Sequence, residues 1–83
     1  MTARQLMGGA AFPPDALKVI FQAFDDAWDE VAADVSVRAS AIEAARLSLA
    51  TIVLRLAAKG PIERVGLRTA AVDAFRLKYR IGD

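Results

Sequence analysis

The spacing of apolar residues predicts a first helix from about Pro14 to about Asp34. On a helical wheel its large apolar side chains fall within an arc of roughly 120°, and most of its acidic residues lie on the opposite side. We therefore expect one buried face and a solvated acidic back. The predicted buried face consists of Leu17, Ile20, Phe21, Phe24, Ala27, Trp28, Val31 and Val35.

A second helix is predicted from Ser40 to the Gly60-Pro61 pair. Ser40 and Glu43 have the spacing of a capping box, and Ser36 is an alternative start. Gly60 suits the left-handed position after a helix, and Pro61 prevents its continuation. Apolar residues cover roughly 220° of this helix, so we expect it to be the central helix with neighbours on two sides.

A third helix is predicted from about Pro61 to about Tyr79. It has two apolar faces, where a three-helix monomer needs only one. The first is a face of mostly small residues, namely Leu67, Ala70, Ala71, Ala74, Leu77 and Ile81. The second face carries Val65, Val72, Phe75 and Tyr79, with Arg64 and Arg68 beside it.

These patterns predict an all-α fold of three helices, with the first two antiparallel. Gly8-Gly9 interrupts any helix near the start, so we expect residues 1–12 to be a flexible arm and residues 13–83 to form one helical domain. The surplus apolar surface of the second and third helices predicts a dimeric helical bundle or a protein partner. The predicted interface consists of Arg46, Leu47, Leu54, Val65, Arg68, Val72, Phe75 and Tyr79.

Composition narrows the chemistry of this chain of 83 residues, which contains neither Cys nor His. Disulfides and Cys/His zinc sites are therefore excluded, and the commonest catalytic nucleophiles and bases are missing. We expect a protein that is not an enzyme and that uses no cofactor or metal. Two i, i+4 acidic pairs of the first helix could bind a hard cation, but a helical acidic face is more often simply solvated.

Charge is distributed unevenly along the chain. Residues 1–34 carry six acidic and two basic side chains, a net charge of −4, whereas residues 35–83 carry nine basic and four acidic ones, a net charge of +5. The two halves can attract each other within one fold or between chains. Arg46 lies inside an apolar arc, which suggests an ion pair with an acid of the first helix or of a second chain. Alternatively it pairs with Glu43, or marks the edge of the interface.

A helix, a short glycine turn and a basic helix also suggest a small DNA-binding regulator that uses the third helix. Arg64 and Arg68, however, share a sector with Phe75 and Tyr79, and the net charge is only +1. We therefore expect these arginines to lie along apolar surface or to pair with the acids of the first helix. Nucleic acid is the less favoured partner.

The segments "FPPDALKVIFQAFDDAWDE" and "EAARLSLATIVLRLAAKGPIE" together resemble a group of short, uncharacterised helical proteins of α-proteobacteria. The resemblance covers about residues 12–71. It implies a helical fold in a bacterial cytoplasmic protein, and no activity or site. No apolar run approaches the roughly 18 residues that span a bilayer, and the N-terminus is a poor secretory signal, so we expect no membrane insertion.

Overall fold

The computed structural model describes residues 12–32 and 39–79, and within these ranges it gives no account of the side chains of residues 39–41 and 79. The described residues form three α-helices and no strand. We call these helices α1 (Pro14–Val31), α2 (Ala39–Lys59) and α3 (Arg64–Tyr79). The three pack together, which confirms the all-α fold class.

Helix α1 begins as its sequence predicts. Pro13 is extended and its carbonyl oxygen accepts from the amide of Leu17 at 2.9 Å, while Pro14 occupies the first helical turn, where its missing amide costs nothing. Asp15 lies in the same turn, close to the positive end of the helix dipole. The regular helix ends at Val31, and Val35 of the predicted face lies outside the described residues.

Helix α2 is bounded differently from the prediction. It starts at Ala39, one residue before the predicted start. The side chain of Ser40 and the whole of Ser36 fall outside what is described, so the capping box stays a prediction. The left-handed conformation predicted for Gly60 is wrong, since no described glycine has positive φ. Gly60 instead continues the helical pattern by donating its amide to the carbonyl of Leu56 at 3.1 Å, and Pro61 then ends the helix.

Helix α3 starts at Arg64, three residues later than predicted. The reason is a cap that the sequence did not reveal. A carboxylate oxygen of Glu63 accepts from the amide of Gly66 at 3.0 Å, and the Glu63 carbonyl accepts from the amide of Leu67 at 2.9 Å. The Glu63 side chain thereby satisfies one of the amides that the first turn leaves unpaired, and its carbonyl accepts the first regular bond of the helix.

The core lies where the three helices meet. Its buried side chains are Ile20, Ala23, Phe24, Ala27 and Val31 from α1, Ala45, Leu49, Ala50, Val53 and Ala57 from α2, and Leu67, Ala71, Val72 and Phe75 from α3. Leu17, Phe21 and Trp28 are partly buried against it, so the predicted inner face of α1 is confirmed for every member that the structure describes. Phe12, assigned by sequence to the arm, also packs against this core.

Helix α2 contacts both neighbours, as predicted, but the most extensive contact between described helices is that of α1 with α3. Helix α2, which has the least contact with its neighbours, is therefore not the central helix. This arrangement leaves part of its wide apolar arc at the surface, beside α3.

Candidate interaction surface

The basic side of α3 is turned toward the acidic half of α1. Arg64 donates from its Nε atom to Oδ2 of Asp26 at 2.7 Å and from Nη2 to Oδ1 at 3.1 Å. One helical turn further along both helices, Arg68 donates to Oε1 of Glu30 at 3.1 Å. The side chain of Arg76 also reaches the Glu30 carbonyl at 3.5 Å, near the end of α1 where helical carbonyls lack partners.

These contacts change the acidity of one carboxyl. The hydrogen bond from Arg64, together with the positive charges of Arg64 and Arg68, lowers the pKa of Asp26 below its usual value and outweighs the opposing effect of desolvation. The same hydrogen bond and the charge of Asp26 raise the pKa of Arg64. The pairing of Arg64 and Arg68 with acids of the first helix, expected from the sequence, is confirmed.

The acids of α1 do not assemble a metal site. Asp26 and Glu30 face α3 and are occupied by arginine, whereas Asp29 is exposed. Within residues 12–32 and 39–79 no group of three or more acidic side chains could hold a metal ion. The i, i+4 acidic pair of Asp26 and Glu30 thus serves to bind α3 to α1.

Arg46 neither pairs with Glu43 nor forms an ion pair with any acid in the part of the chain that is described. Its guanidinium lies over two aromatic rings of α1, with Cζ 5.0 Å from the centroid of Phe24 and 5.1 Å from that of Trp28. The planar cation faces the electron-rich surface of both rings, so it joins α2 to α1 without a carboxylate. Its place in an apolar arc is explained by this stacking.

The structure does not bring the residues of the predicted interface together on one surface. Val72 and Phe75 are only 4% and 1% exposed, so they belong to the core of the single chain and are not available to a partner. They were placed at the surface because the sequence does not reveal which face of α3 meets α1. Arg68 is engaged with Glu30, and the Tyr79 side chain lies outside the description.

Three members of that predicted interface remain at least partly at the surface. Leu47 and Leu54 are half-buried on α2, and Leu54 packs against the core. Val65 is 56% exposed and follows Arg64, whose side chain is paired with Asp26 on α1. These residues do not share one surface.

A surface groove does run between α2 and α3. At one end it opens into a hollow of about 420 Å³ lined by Leu47, Ser48, Thr51, Ile52, Arg55, Ala74 and Lys78. At the other end, beside the α2–α3 turn, a mostly apolar hollow of about 310 Å³ is lined by Leu56, Lys59, Gly60, Pro61, Glu63, Gly66, Leu67 and Ala70. Small alanines on the α3 side make this groove, because they do not fill the space beside α2.

Leu77 is the most exposed large apolar side chain of the described residues, at 62% exposure, and the helical period places it next to Ala70 and Ala74, which line the groove. Sequence reasoning assigned it to a closely packed face and left Arg55, Ile52, Asp73 and Leu77 out of the candidate interface. The available signal was the helical wheel itself, on which Leu77 adjoins Ala70 and Ala74. This groove and its two edges are the candidate interaction surface.

None of the helices in the described part of the chain is long and apolar enough to cross a membrane. Comparisons of the sequence with models of protein families, and of the chain with curated proteins and with solved structures, gave no match.

Proposed function

We propose that this protein is a small, non-enzymatic interaction or regulatory module that self-associates, as a dimer, through the α2–α3 groove. The observation that carries the proposal is the exposed Leu77 beside the α2–α3 groove, whose hollow at the α2–α3 turn has a mostly apolar lining. An exposed leucine next to unfilled apolar surface is stabilised by any partner that covers both. The second and third helices remain the proposed site of association. The proposed interface is now the groove and no longer includes Val72 and Phe75.

The order of contacts supports an up-down-up arrangement, in which α1 and α2 run antiparallel. Residue numbers increase in the same direction along α1 and α3, because Asp26 pairs with Arg64 and Glu30, one turn later, pairs with Arg68. Along the groove, by contrast, the higher residue numbers of α3 lie beside the lower residue numbers of α2. A dimer of two such units would place four helices around one apolar seam, a common solution for helical proteins.

Sedimentation velocity over a wide concentration series tests the proposal. We expect a monomer–dimer equilibrium in the wild-type protein. Leu77→Ser should weaken the dimer, whereas Val65→Ser, at a similarly exposed position of the same helix but away from the groove, should leave it unchanged. Circular dichroism of both variants checks that the fold is retained. A monomer at every concentration overturns the proposal.

The alternative function, DNA binding through α3, has less support because the two arginines on which it relied are held by Asp26 and Glu30. The two carboxylates already balance the charges of these arginines, which DNA binding would need for contacts with phosphate groups. Titration of labelled duplex DNA at low salt tests this alternative, which requires binding that is lost in the double variant Arg64→Ala plus Arg68→Ala. Absence of binding at low salt would exclude it.

A further inference from the structure

The two edges of the α2–α3 groove carry complementary features. On α2, Leu47, Thr51 and Arg55 follow one another at intervals of four residues and so form one line along the helix. On α3, Asp73 and Leu77 have the same spacing and are both exposed. The α2 edge thus offers a cation and an apolar side chain, and the α3 edge offers an anion and an apolar side chain beside Lys78, which lines the same hollow as Arg55.

Neither charge is used within the part of the chain that the structure describes. Arg55 and Asp73 are exposed, and no hydrogen bond or ion pair involves either of them among residues 12–32 and 39–79. They belong to the two helices that flank the groove. Each is therefore available for a charge supplied by another molecule.

The two edges are also in register. Ala70 and Leu56 line one hollow, and Ala74 and Ile52 line the other. Residue numbers therefore rise along α3 in the direction in which they fall along α2. This order places Asp73 about two residues, or about 3 Å along the axis, from the level of Arg55. By the same order, Leu77 is level with the space between Thr51 and Leu47.

We propose that the partner in this groove is a second copy of the chain, related by a two-fold axis parallel to α2 and α3. A rotation about such an axis keeps each residue at its level and places the α3 edge of one copy against the α2 edge of the other. Asp73 then pairs with Arg55 of the partner subunit, and Leu77 inserts between the partner's Thr51 and the partner's Leu47. The symmetry makes both contacts twice.

Charge selects this arrangement over the other two-fold packing of the same faces. An axis perpendicular to the helices would place α2 against α2 and α3 against α3. Asp73 would then be separated from Arg55, and the two basic α2 edges, each carrying Arg55 and Lys59, would face each other. Like charges in apposition oppose association, so the parallel axis is favoured.

The inference rests on the proposed self-association, and charge reversal tests it separately. Arg55→Glu alone gives a dimer with two acidic pairs, and Asp73→Arg alone gives one with two basic pairs. We expect each variant to dimerise about tenfold more weakly than wild type, or worse. An equimolar mixture should recover wild-type affinity, because a heterodimer of the two variants has two complementary pairs. Lys18→Glu, a charge reversal at an exposed position of α1, whose residues do not line the groove, is the control.

The outcomes distinguish the two proposals in sedimentation velocity. A wild-type protein that stays monomeric overturns self-association itself. A wild-type dimer that both reversals leave unchanged, or that the mixture fails to restore, overturns this interface while self-association stands. Recovery in the mixture, but in neither variant alone, supports the interface because the perpendicular axis does not bring Arg55 to Asp73.

Cysteine cross-linking provides a second measurement, because the chain has no cysteine of its own. Under oxidation, a mixture of Leu77→Cys and Thr51→Cys proteins should give disulfide-linked dimers that contain one chain of each kind. Each variant alone should give much less, since the parallel axis keeps the two copies of either position apart. Cross-linking confined to identical chains would contradict the proposed interface.

Discussion

Arg64 of α3 donates two hydrogen bonds, of 2.7 and 3.1 Å, to the carboxylate of Asp26 on α1, 38 residues earlier in the sequence. A bidentate pair fixes orientation as well as distance, and the Arg68–Glu30 pair repeats the contact one turn later. Together they define the rotation of α3 about its own axis. The same rotation directs Val72 and Phe75 into the core and leaves Leu77 at the surface.

Acid should weaken this contact. The pKa of Asp26 is lower in the folded protein than its ordinary value of 3.8, so the folded state binds the proton less readily than the unfolded chain. The stabilisation is therefore complete above the ordinary pKa and is lost as pH falls through the lowered one. We expect the urea midpoint of Asp26→Asn to lie below that of wild type at neutral pH and the difference to shrink in acid.

The control for this prediction is Asp29→Asn, which removes an exposed acid of the same helix that has no ion pair within the described residues. Its urea midpoint should differ little from that of wild type at neutral pH. If Asp26→Asn kept a constant offset across the acid range, the pair with Arg64 would contribute nothing to stability.

The stacking of Arg46 on Phe24 and Trp28 should contribute to stability by two separable routes. Arg46→Ala removes both the cation and the apolar stem, and we expect it to lower the free energy of unfolding by about 1 kcal/mol. Arg46→Met keeps an apolar stem without the charge and should lose less. Trp28 is the only tryptophan, so its fluorescence follows urea unfolding and should shift to longer wavelength in the folded Arg46→Ala protein. An unshifted spectrum with unchanged stability would exclude the stacking.

The cap at the start of α3 depends on Gly66. A Cβ atom at this position would lie 2.8 Å from the Glu63 carboxylate oxygen that accepts the Gly66 amide, so the carboxylate would have to move. Gly66→Ala alone should be close to neutral, because a gain in helix propensity of about 1 kcal/mol is offset by the weakened cap.

A double-mutant cycle measures that coupling by urea unfolding. Glu63→Ala should lower the free energy of unfolding by about 1 kcal/mol, the usual loss for an N-cap. With the cap absent, Gly66→Ala should stabilise by about 1 kcal/mol. Equal effects of Gly66→Ala with and without Glu63 would show that the two residues do not interact.

The sequence predicted α1 well because its apolar residues occupy one arc and its acids another, so only one orientation buries the first and solvates the second. Helix α3 has apolar residues around most of its circumference, and the wheel alone does not choose between Phe75 and Leu77 as the inner residue. The choice follows from pairing with Asp26 and Glu30, which requires the relative position of two helices. The Glu63 cap was missed because Pro61 is itself a good first helical residue.

The reassignment of Val72 from interface to core leads to a matched comparison on one helix. Val72 is 4% exposed and Val65 is 56% exposed, so the same change to alanine removes packed methyl groups at one site and solvated ones at the other. We expect Val72→Ala to lower the free energy of unfolding by about 2 kcal/mol, and Val65→Ala to change it by less than about 0.5 kcal/mol. Urea denaturation at protein concentrations low enough to give monomer isolates the effect on the single chain. If Val72→Ala were harmless in the monomer and destabilising only in the dimer, Val72 would be an interface residue and its burial between α1 and α3 would be wrong.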